Sequence, residues 1–218
     1  MIKGAIFDVD GTLLDSMYIW DTIANDYLLT FGIEEKENLF ERFRKYTQQQ
    51  VADYYINHYG INLPPEKIIS DVNSMIGDFY RYSAQLKPGM KDILSALKNK
   101  GVKMCVATAA DKELVKAALS RCGVLEYFTD IFTCSEYGSK EEPEIYRSAL
   151  KALGTDKSET YVFEDSLHAA STAFRESFPV ISVFDKSENN PEKLKEISVM
   201  YLKDTQDIEK FLNSDIVK

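Results

Sequence analysis

Ile2-Lys3-Gly4-Ala5-Ile6-Phe7-Asp8-Val9-Asp10-Gly11-Thr12 decides how the rest of the chain is read. Apart from Lys3, the run to Phe7 is apolar and β-capable but too short for a helix of ordinary length, and it breaks off into an Asp- and Gly-rich turn. It therefore reads as a buried strand that delivers a polar loop. Four later runs have the same character: Val102 to Ala107, Ile131 to Cys134, Tyr161 to Phe163 and Val180 to Phe184. Between them, apolar residues recur at helical spacing and stop at glycine. Examples are Met90, Ile93, Leu94 and Leu97 before Gly101, and Ile145, Tyr146, Ala149 and Leu153 before Gly154. Strands alternating with helices predict an α/β fold, a Rossmann-like doubly wound parallel sheet.

Residues 16–84 break the alternation, with four helical patterns and no convincing strand. Ile19, Trp20, Ile23, Tyr27 and Leu28 mark the first, Leu39, Phe40 and Phe43 the second, and Val51, Tyr54 and Tyr55 the third. Pro64-Pro65 opens the fourth, which carries Ile68, Val72, Ile76 and Phe79. The expected organisation is a core of residues 1–15 and 85–218 with an inserted all-helical cap of residues 16–84. The insert holds half of the chain's aromatic residues in a third of its length, and most of them are expected to form its core.

The 218 residues suit one large domain or one domain with an insert. With 44% hydrophobic and 28% charged residues, the composition is that of a globular chain. Twenty-six basic against 35 acidic residues leave a net charge of −9, which argues against nucleic acid and anionic membrane surfaces as partners. Cys105, Cys122 and Cys134 are odd in number and lack metal-site spacing, as expected in a reduced, cytoplasmic compartment. No apolar stretch approaches the roughly 20 residues that cross a bilayer. The first residues are unlike a signal peptide, so the mature chain is expected to begin near residue 1. A monomer is expected.

Ligands of an open parallel sheet bind at the carboxyl ends of its strands. There the sequence places Asp8 and Asp10 after the first strand, Thr108 after the second, Lys140 beyond the third, and Glu164 and Asp165 after the fourth. Singly each has an ordinary reading: Asp-Gly turns, Asp165 or Ser166 as a helix cap, a solvated lysine. Together they form a ring suited to a cation and a phosphate. Its acids include no His or Cys partner, which selects a hard ion such as Mg2+ over Zn2+.

The same residues resemble the signatures of the haloacid dehalogenase superfamily. Phe7-Asp8-Val9-Asp10-Gly11-Thr12-Leu13-Leu14-Asp15-Ser16 is similar to the first signature and Val106-Ala107-Thr108 to the second. Lys140 with Pro143-Glu144-Ile145-Tyr146 is similar to the third, and Val162-Phe163-Glu164-Asp165-Ser166 to the fourth. A helical insert directly after the first signature resembles the cap of the β-phosphoglucomutase-like phosphatase subclass. The resemblance implies a Mg2+-dependent phosphatase acting on a small phosphomonoester through an aspartyl-phosphate. Asp8 is then the nucleophile and Asp10 the acid and base. The metal is held by the Asp8 carboxylate, the Asp10 backbone carbonyl and Asp165, with Glu164 either a ligand or one step behind. Lys140, Thr108 and the backbone N–H of Ala109 bind phosphate.

Asp10 argues against a dehalogenase, whose halide leaves without a proton. Two alternatives stay open. A β-phosphoglucomutase-type mutase must hold a second phosphate in its cap, where this chain reads Tyr46-Thr47-Gln48-Gln49-Gln50, with no Lys or Arg between Ile68 and Tyr80. Arg42, Arg44, Lys45 and Arg81 are the substitutes available. A non-catalytic phosphate-binding or regulatory protein would predict a broken catalytic set. Met17, Tyr18 or Trp20, near the expected hinge at Ser16, is expected to contact the leaving group, with Trp20 the residue chosen as substrate-binding. His58 and His168 are expected to have no part in the chemistry. Where the superfamily usually has Ala-Gly before the next strand, this chain has Glu176-Ser177.

Overall fold

The computed structural model describes residues 1–43 and 46–218; Arg44 and Lys45 lie outside the described residues. The chain divides into two compact units, residues 1–16 with 84–218 and residues 17–83.

In the first unit the strands are β1 (Gly4–Phe7), β2 (Leu14–Asp15), β3 (Gln85–Leu86), β4 (Lys103–Thr108), β5 (Phe128–Thr133), β6 (Thr160–Glu164), β7 (Val180–Val183) and β8 (Met200–Leu202). Six form a parallel sheet in the order β5-β4-β1-β6-β7-β8, while β2 and β3 pair as a short antiparallel ribbon. Strand β1 sits near the middle, with Phe7 level with Val106 on one side and Phe163 on the other. All four residues of β1 are buried, because helices cover both faces of the sheet and each side chain therefore meets a core.

In the second unit, α1 (Tyr18–Leu29), α2 (Leu39–Phe43), α3 (Gln48–Tyr59) and α4 (Pro65–Asp78) form the bundle, followed by a π-helical turn at Phe79–Ser83. Thr47 and Gln50 cap α3 reciprocally, each side chain accepting from the other's backbone N–H. Tyr27, Leu28, Leu39, Tyr55 and Ile68 are the centre of its core, and the Tyr55 hydroxyl donates to the Ala24 carbonyl at 2.8 Å.

The remaining helices belong to the first unit: α5 (Met90–Asn99), α6 (Lys112–Arg121), α7 (Cys134–Tyr137), α8 (Glu144–Leu153), α9 (Leu167–Arg175), α10 (Pro191–Glu196) and α11 (Thr205–Leu212). Ile145, Tyr146 and Ala149 of α8, Ala170 and Ala173 of α9 and Leu194 of α10 pack on Ile6, Cys105, Val162 and Val180. On the other face Phe163 stacks on Phe7, centroids 4.2 Å apart, and meets Phe211 of α11 edge-on.

The doubly wound parallel sheet agrees with the alternation read from the sequence. Strand β8, the β2–β3 ribbon and helix α10, which are short with few apolar residues, are absent from the sequence reading; α11 is absent too, although its Ile208, Phe211 and Leu212 do recur at helical spacing. The fifth expected strand ends at Val183, with Phe184 exposed beyond it. Where glycine is usual, Ser177 adopts φ +65°. It closes α9 in a Schellman turn, with Phe178 N–H donating to Ala173 O at 3.0 Å and Ser177 N–H to Phe174 O at 2.8 Å.

Candidate active site

The site grows from the loop after β1. Asp8 N–H donates to Phe163 O at 3.0 Å, extending the parallel ladder one residue beyond the strand and fixing where the Asp8 carboxyl leaves the sheet. The chain then turns back on itself: Leu14 N–H reaches Val9 O at 2.8 Å and Gly11 N–H reaches Leu14 O at 3.0 Å. Gly11 has φ +79°, and a Cβ at this position would run into the Asp165 carboxylate. Glycine is thus required twice over, by the backbone and by the close approach.

Strand β6 ends at Glu164, so Glu164 and Asp165 leave the sheet beside Asp8. One carboxylate oxygen from each of Asp8, Glu164 and Asp165 lies within 4.8 Å of the other two, and all three residues are buried. Lys140, in the loop between α7 and α8, is 7% exposed and reaches into this cluster. Its ammonium donates to Asp8 Oδ1 and, at 2.8 Å, to Glu164 Oε2. Thr108 ends β4 two residues beyond the Val106–Phe7 pair and is fully buried, while Ala109 after it is exposed. The Thr108 hydroxyl oxygen accepts from Ala110 N–H at 3.0 Å. Asp10 is partly exposed and accepts from the Ser16 hydroxyl at 2.6 Å.

Three hydroxyl residues not expected in the site, Thr12, Ser16 and Ser166, hold its carboxylates. Thr12 donates its hydroxyl to Asp165 Oδ1 at 3.0 Å, with both residues buried. Ser166 stands at the N-cap of α9, yet its hydroxyl donates to Glu164 Oε1 at 3.0 Å, so the cap reading gives way to a site role. The α9 N-terminus is served instead by Glu188, which accepts from Leu167 N–H at 2.7 Å. Glu164 is consequently gripped on both oxygens, by Ser166 and by Lys140. The presence of a hydroxyl at Thr12, Ser16 and Ser166 is legible in the sequence; its partner is not, since Thr12 and Asp165 are 153 residues apart.

Burial, the charge of Glu164 and the charge of Asp10 push the Asp8 carboxyl up to about 7, against the pull of Lys140. Burial, then Glu164 and Asp8, hold Asp165 well above the ordinary carboxylate range. Burial disfavours the Lys140 ammonium, but Asp8 and Glu164 outweigh it and keep the lysine charged. Three buried carboxylates facing one ammonium leave negative charge uncompensated, and the donor set is all oxygen. Those two properties fit a hard divalent cation such as Mg2+.

Trp20 lies in the other unit, in the first turn of α1, 38% exposed and on the wall of a cavity within the bundle. His168 is exposed on α9, and His58 is exposed on α3 with its ring stacked on Tyr54 at 4.8 Å. No helix among the described residues is long and apolar enough to cross a membrane.

The family model described as haloacid dehalogenase-like hydrolase matches residues 5–183. Hexitol phosphatase B of Escherichia coli is 24% identical over 199 residues, 87% of either chain. The phosphorylated carbohydrates phosphatase of Thermotoga maritima is 24% identical over 166 residues, 76% of this chain and 77% of its own. Among solved structures, a Thermotoga maritima protein with a provisional β-phosphoglucomutase assignment superposes with a TM-score of 0.82 at 23% identity, covering 97% of each chain. CbbY from Rhodobacter sphaeroides in complex with phosphate superposes at 0.69 and 22% identity, over 93% of this chain and 94% of its own.

Proposed function

Because the chain belongs to the haloacid dehalogenase-like hydrolase family, we propose that it is a Mg2+-dependent phosphatase that hydrolyses a small phosphomonoester through an aspartyl-phosphate on Asp8. The observation that carries this reading is the buried meeting of Asp8, Glu164 and Asp165 with the single ammonium of Lys140.

The Asp8 carboxylate attacks phosphorus in line with the ester oxygen, which departs with the bonding pair. Asp10 protonates that oxygen; its carboxyl, held by Ser16 at 2.6 Å, is two residues from the nucleophile. Now a carboxylate, Asp10 takes a proton from water, and the water attacks the aspartyl-phosphate to release phosphate and restore Asp8. Lys140 keeps the Asp8 carboxyl oriented and neutralises charge on the phosphoryl oxygens, and the Thr108 hydroxyl and Ala109 N–H donate to the same oxygens. A bound Mg2+, held by Asp8, the Asp10 carbonyl and Asp165, would neutralise the phosphoryl charge. With both its oxygens engaged, Glu164 acts behind these ligands, fixing Lys140.

Relatives named for hexitol and carbohydrate phosphates support a phosphorylated polyol, sugar or molecule of similar size as substrate. The test is hydrolysis of p-nitrophenyl phosphate with Mg2+. Turnover should vanish with chelator and return with Mg2+, fall to background in Asp8→Asn, and drop by about 100- to 10,000-fold in Asp10→Asn. Full activity in Asp8→Asn would overturn the mechanism. Efficient conversion of β-glucose 1-phosphate to glucose 6-phosphate, given the bisphosphate activator, would favour a mutase instead.

A further inference from the structure

The carboxyl edge of the sheet continues past the catalytic ring. There β7 ends at Val183 and β8 at Leu202, and Phe184 N–H donates to Leu202 O at 2.8 Å, so the two strand ends stay joined. Beyond them lies a cleft of about 460 Å3 whose lining residues all belong to the first unit. None of Asp8, Asp10, Thr108, Lys140, Glu164 and Asp165 lines it. Its wall is mostly apolar, with Val183, Phe184, Leu202 and Ile208 among the contributors. Phe184 is 39% exposed, so part of its ring is open to a ligand. Gly89, at φ +79°, lets Ile208 into this wall, because a Cβ there would run into Ile208 Cδ1.

The charged residues of the cleft differ in what they still offer. Lys87 and Asp185, with side chains 10% and 4% exposed, pair within the wall at 2.7 Å. Both Asp185 oxygens are engaged, Oδ2 by Lys87 and Oδ1 by the Ser187 N–H and hydroxyl at 2.9 and 2.7 Å. An ammonium has three donors, and Lys87 gives two of them, to Asp185 and to Phe184 O. The buried pair therefore keeps one N–H for a ligand, while its acid is already engaged. Asp204 caps α11 through Oδ1, which accepts from the N–H groups of Gln206 and Asp207. Lys203 is exposed, with its ammonium 5.9 Å from the centre of the Phe184 ring. Lys186 and Asp15, both exposed, complete the charged set.

We propose that this cleft is a second binding site, separate from the catalytic ring, and that it takes an aromatic monocarboxylate. The ring lies against Phe184 and the apolar wall, and the carboxylate accepts the remaining N–H of Lys87. The volume falls in the range of small-molecule pockets, about 300–1,000 Å3 with apolar walls and a few polar groups. A ring is selected because an aromatic pair gains more than its buried area alone supplies. An anionic head is selected because a charge-assisted bond to an ammonium is the stronger kind, and a cationic head would find the buried acid engaged. One negative charge is selected over two because Asp15 and Asp204 stand in the same wall. The proposal does not depend on the phosphatase reading.

The probe is phenylacetate, with acetate, 2-phenylethanol and 2-phenylethylamine as controls for the head, the ring and the sign of the charge. In calorimetric titration of the wild-type chain, phenylacetate should bind about tenfold or more tighter than each control. The site is read through Met90, which lines the cleft. With 13C-methyl methionine, the Met90 signal, assigned by Met90→Leu, should move with phenylacetate and stay in place with inorganic phosphate. Phe184→Ala should weaken phenylacetate about tenfold. Lys203→Gln should weaken it about twofold to fivefold and leave 2-phenylethanol unchanged. Both positions are exposed and outside the catalytic ring, so hydrolysis of p-nitrophenyl phosphate should match wild type in each. No binding at up to about 10 mM would overturn the proposal. So would displacement by inorganic phosphate, an unmoved Met90 signal, equal binding of 2-phenylethanol, or an affinity unchanged in both variants.

Discussion

Thr12→Val isolates one hydrogen bond in the site. Valine keeps the shape of threonine and removes only the hydroxyl, which in the native chain donates to Asp165 Oδ1 at 3.0 Å with the two residues 0% and 4% exposed. Both residues are buried and valine offers no donor, so the Asp165 carboxylate loses its bond from this position. A bond to a charged acceptor contributes about 1.5–3 kcal/mol. For a chain of 218 residues each kcal/mol moves Tm by about 2–4 °C, so the melting temperature measured with saturating Mg2+ should fall by about 3–12 °C. Asp165 also loses the contact that orients it, and removal of such a partner typically weakens metal binding by about 10–100-fold. The Mg2+ concentration giving half-maximal phosphatase activity should rise accordingly, with kcat at saturating Mg2+ affected less. Thr12→Ser, which keeps the hydroxyl, should restore the Mg2+ requirement. If Thr12→Val needed no more Mg2+ than wild type, Asp165 would not be a metal ligand oriented by Thr12. If its Tm were also unchanged, the buried bond would have no role in stability.

Two further outcomes follow from the first unit. Lys87 and Asp185 form a nearly buried ion pair at 2.7 Å, 10% and 4% exposed, and Lys87 also donates to Phe184 O at 2.6 Å. Removing one partner strands the other, so Lys87→Met should cost about 3–5 kcal/mol in urea unfolding at neutral pH. Burial works against the Asp185 carboxylate, but Lys87 and Ser187 outweigh it and hold its pKa below the ordinary value. A lowered folded pKa means that this stability is present at neutral pH and disappears as pH falls through the folded value. The difference between wild type and Lys87→Met should therefore shrink below about pH 4, and a constant difference would refute the assignment. Ser177 holds a left-handed conformation that costs a non-glycine residue about 1–2 kcal/mol, so Ser177→Gly should raise Tm by several degrees. A lower Tm would mean that the serine hydroxyl contributes more than the strain it carries.

Much of the site is legible because the strands are ordered by local pattern. Each polar residue singled out at a strand end, Asp8, Thr108, Glu164 and Asp165, follows an apolar run that only a buried strand explains. A parallel sheet then brings those ends to one edge. Lys140 is legible for a different reason: it is the one lysine between Asp130 and Leu150, in a stretch that must supply a cation if a phosphate is to bind. Ser166 misleads, since a serine at a helix start ordinarily caps it, and only the position of Glu164 turns its hydroxyl elsewhere. Strand β8 escapes because a three-residue edge strand offers too few periods to register, whereas α11 has its signal in Ile208, Phe211 and Leu212 at helical spacing behind the Asp204 cap.

The sequence by itself determined the alternation of short apolar strands with amphipathic helices, the helical insert, and the chemical inventory of acids, lysine and threonine, all of which are local properties of residue order. Only the tertiary structure decided who touches whom. It assigned Thr12 to Asp165, Ser16 to Asp10 and Ser166 to Glu164, and turned three carboxylates into a buried charge excess that a divalent cation would relieve. Such properties depend on distances between residues far apart in the chain, and a hydroxyl or a carboxylate acquires its energy from the partners and the burial that folding supplies.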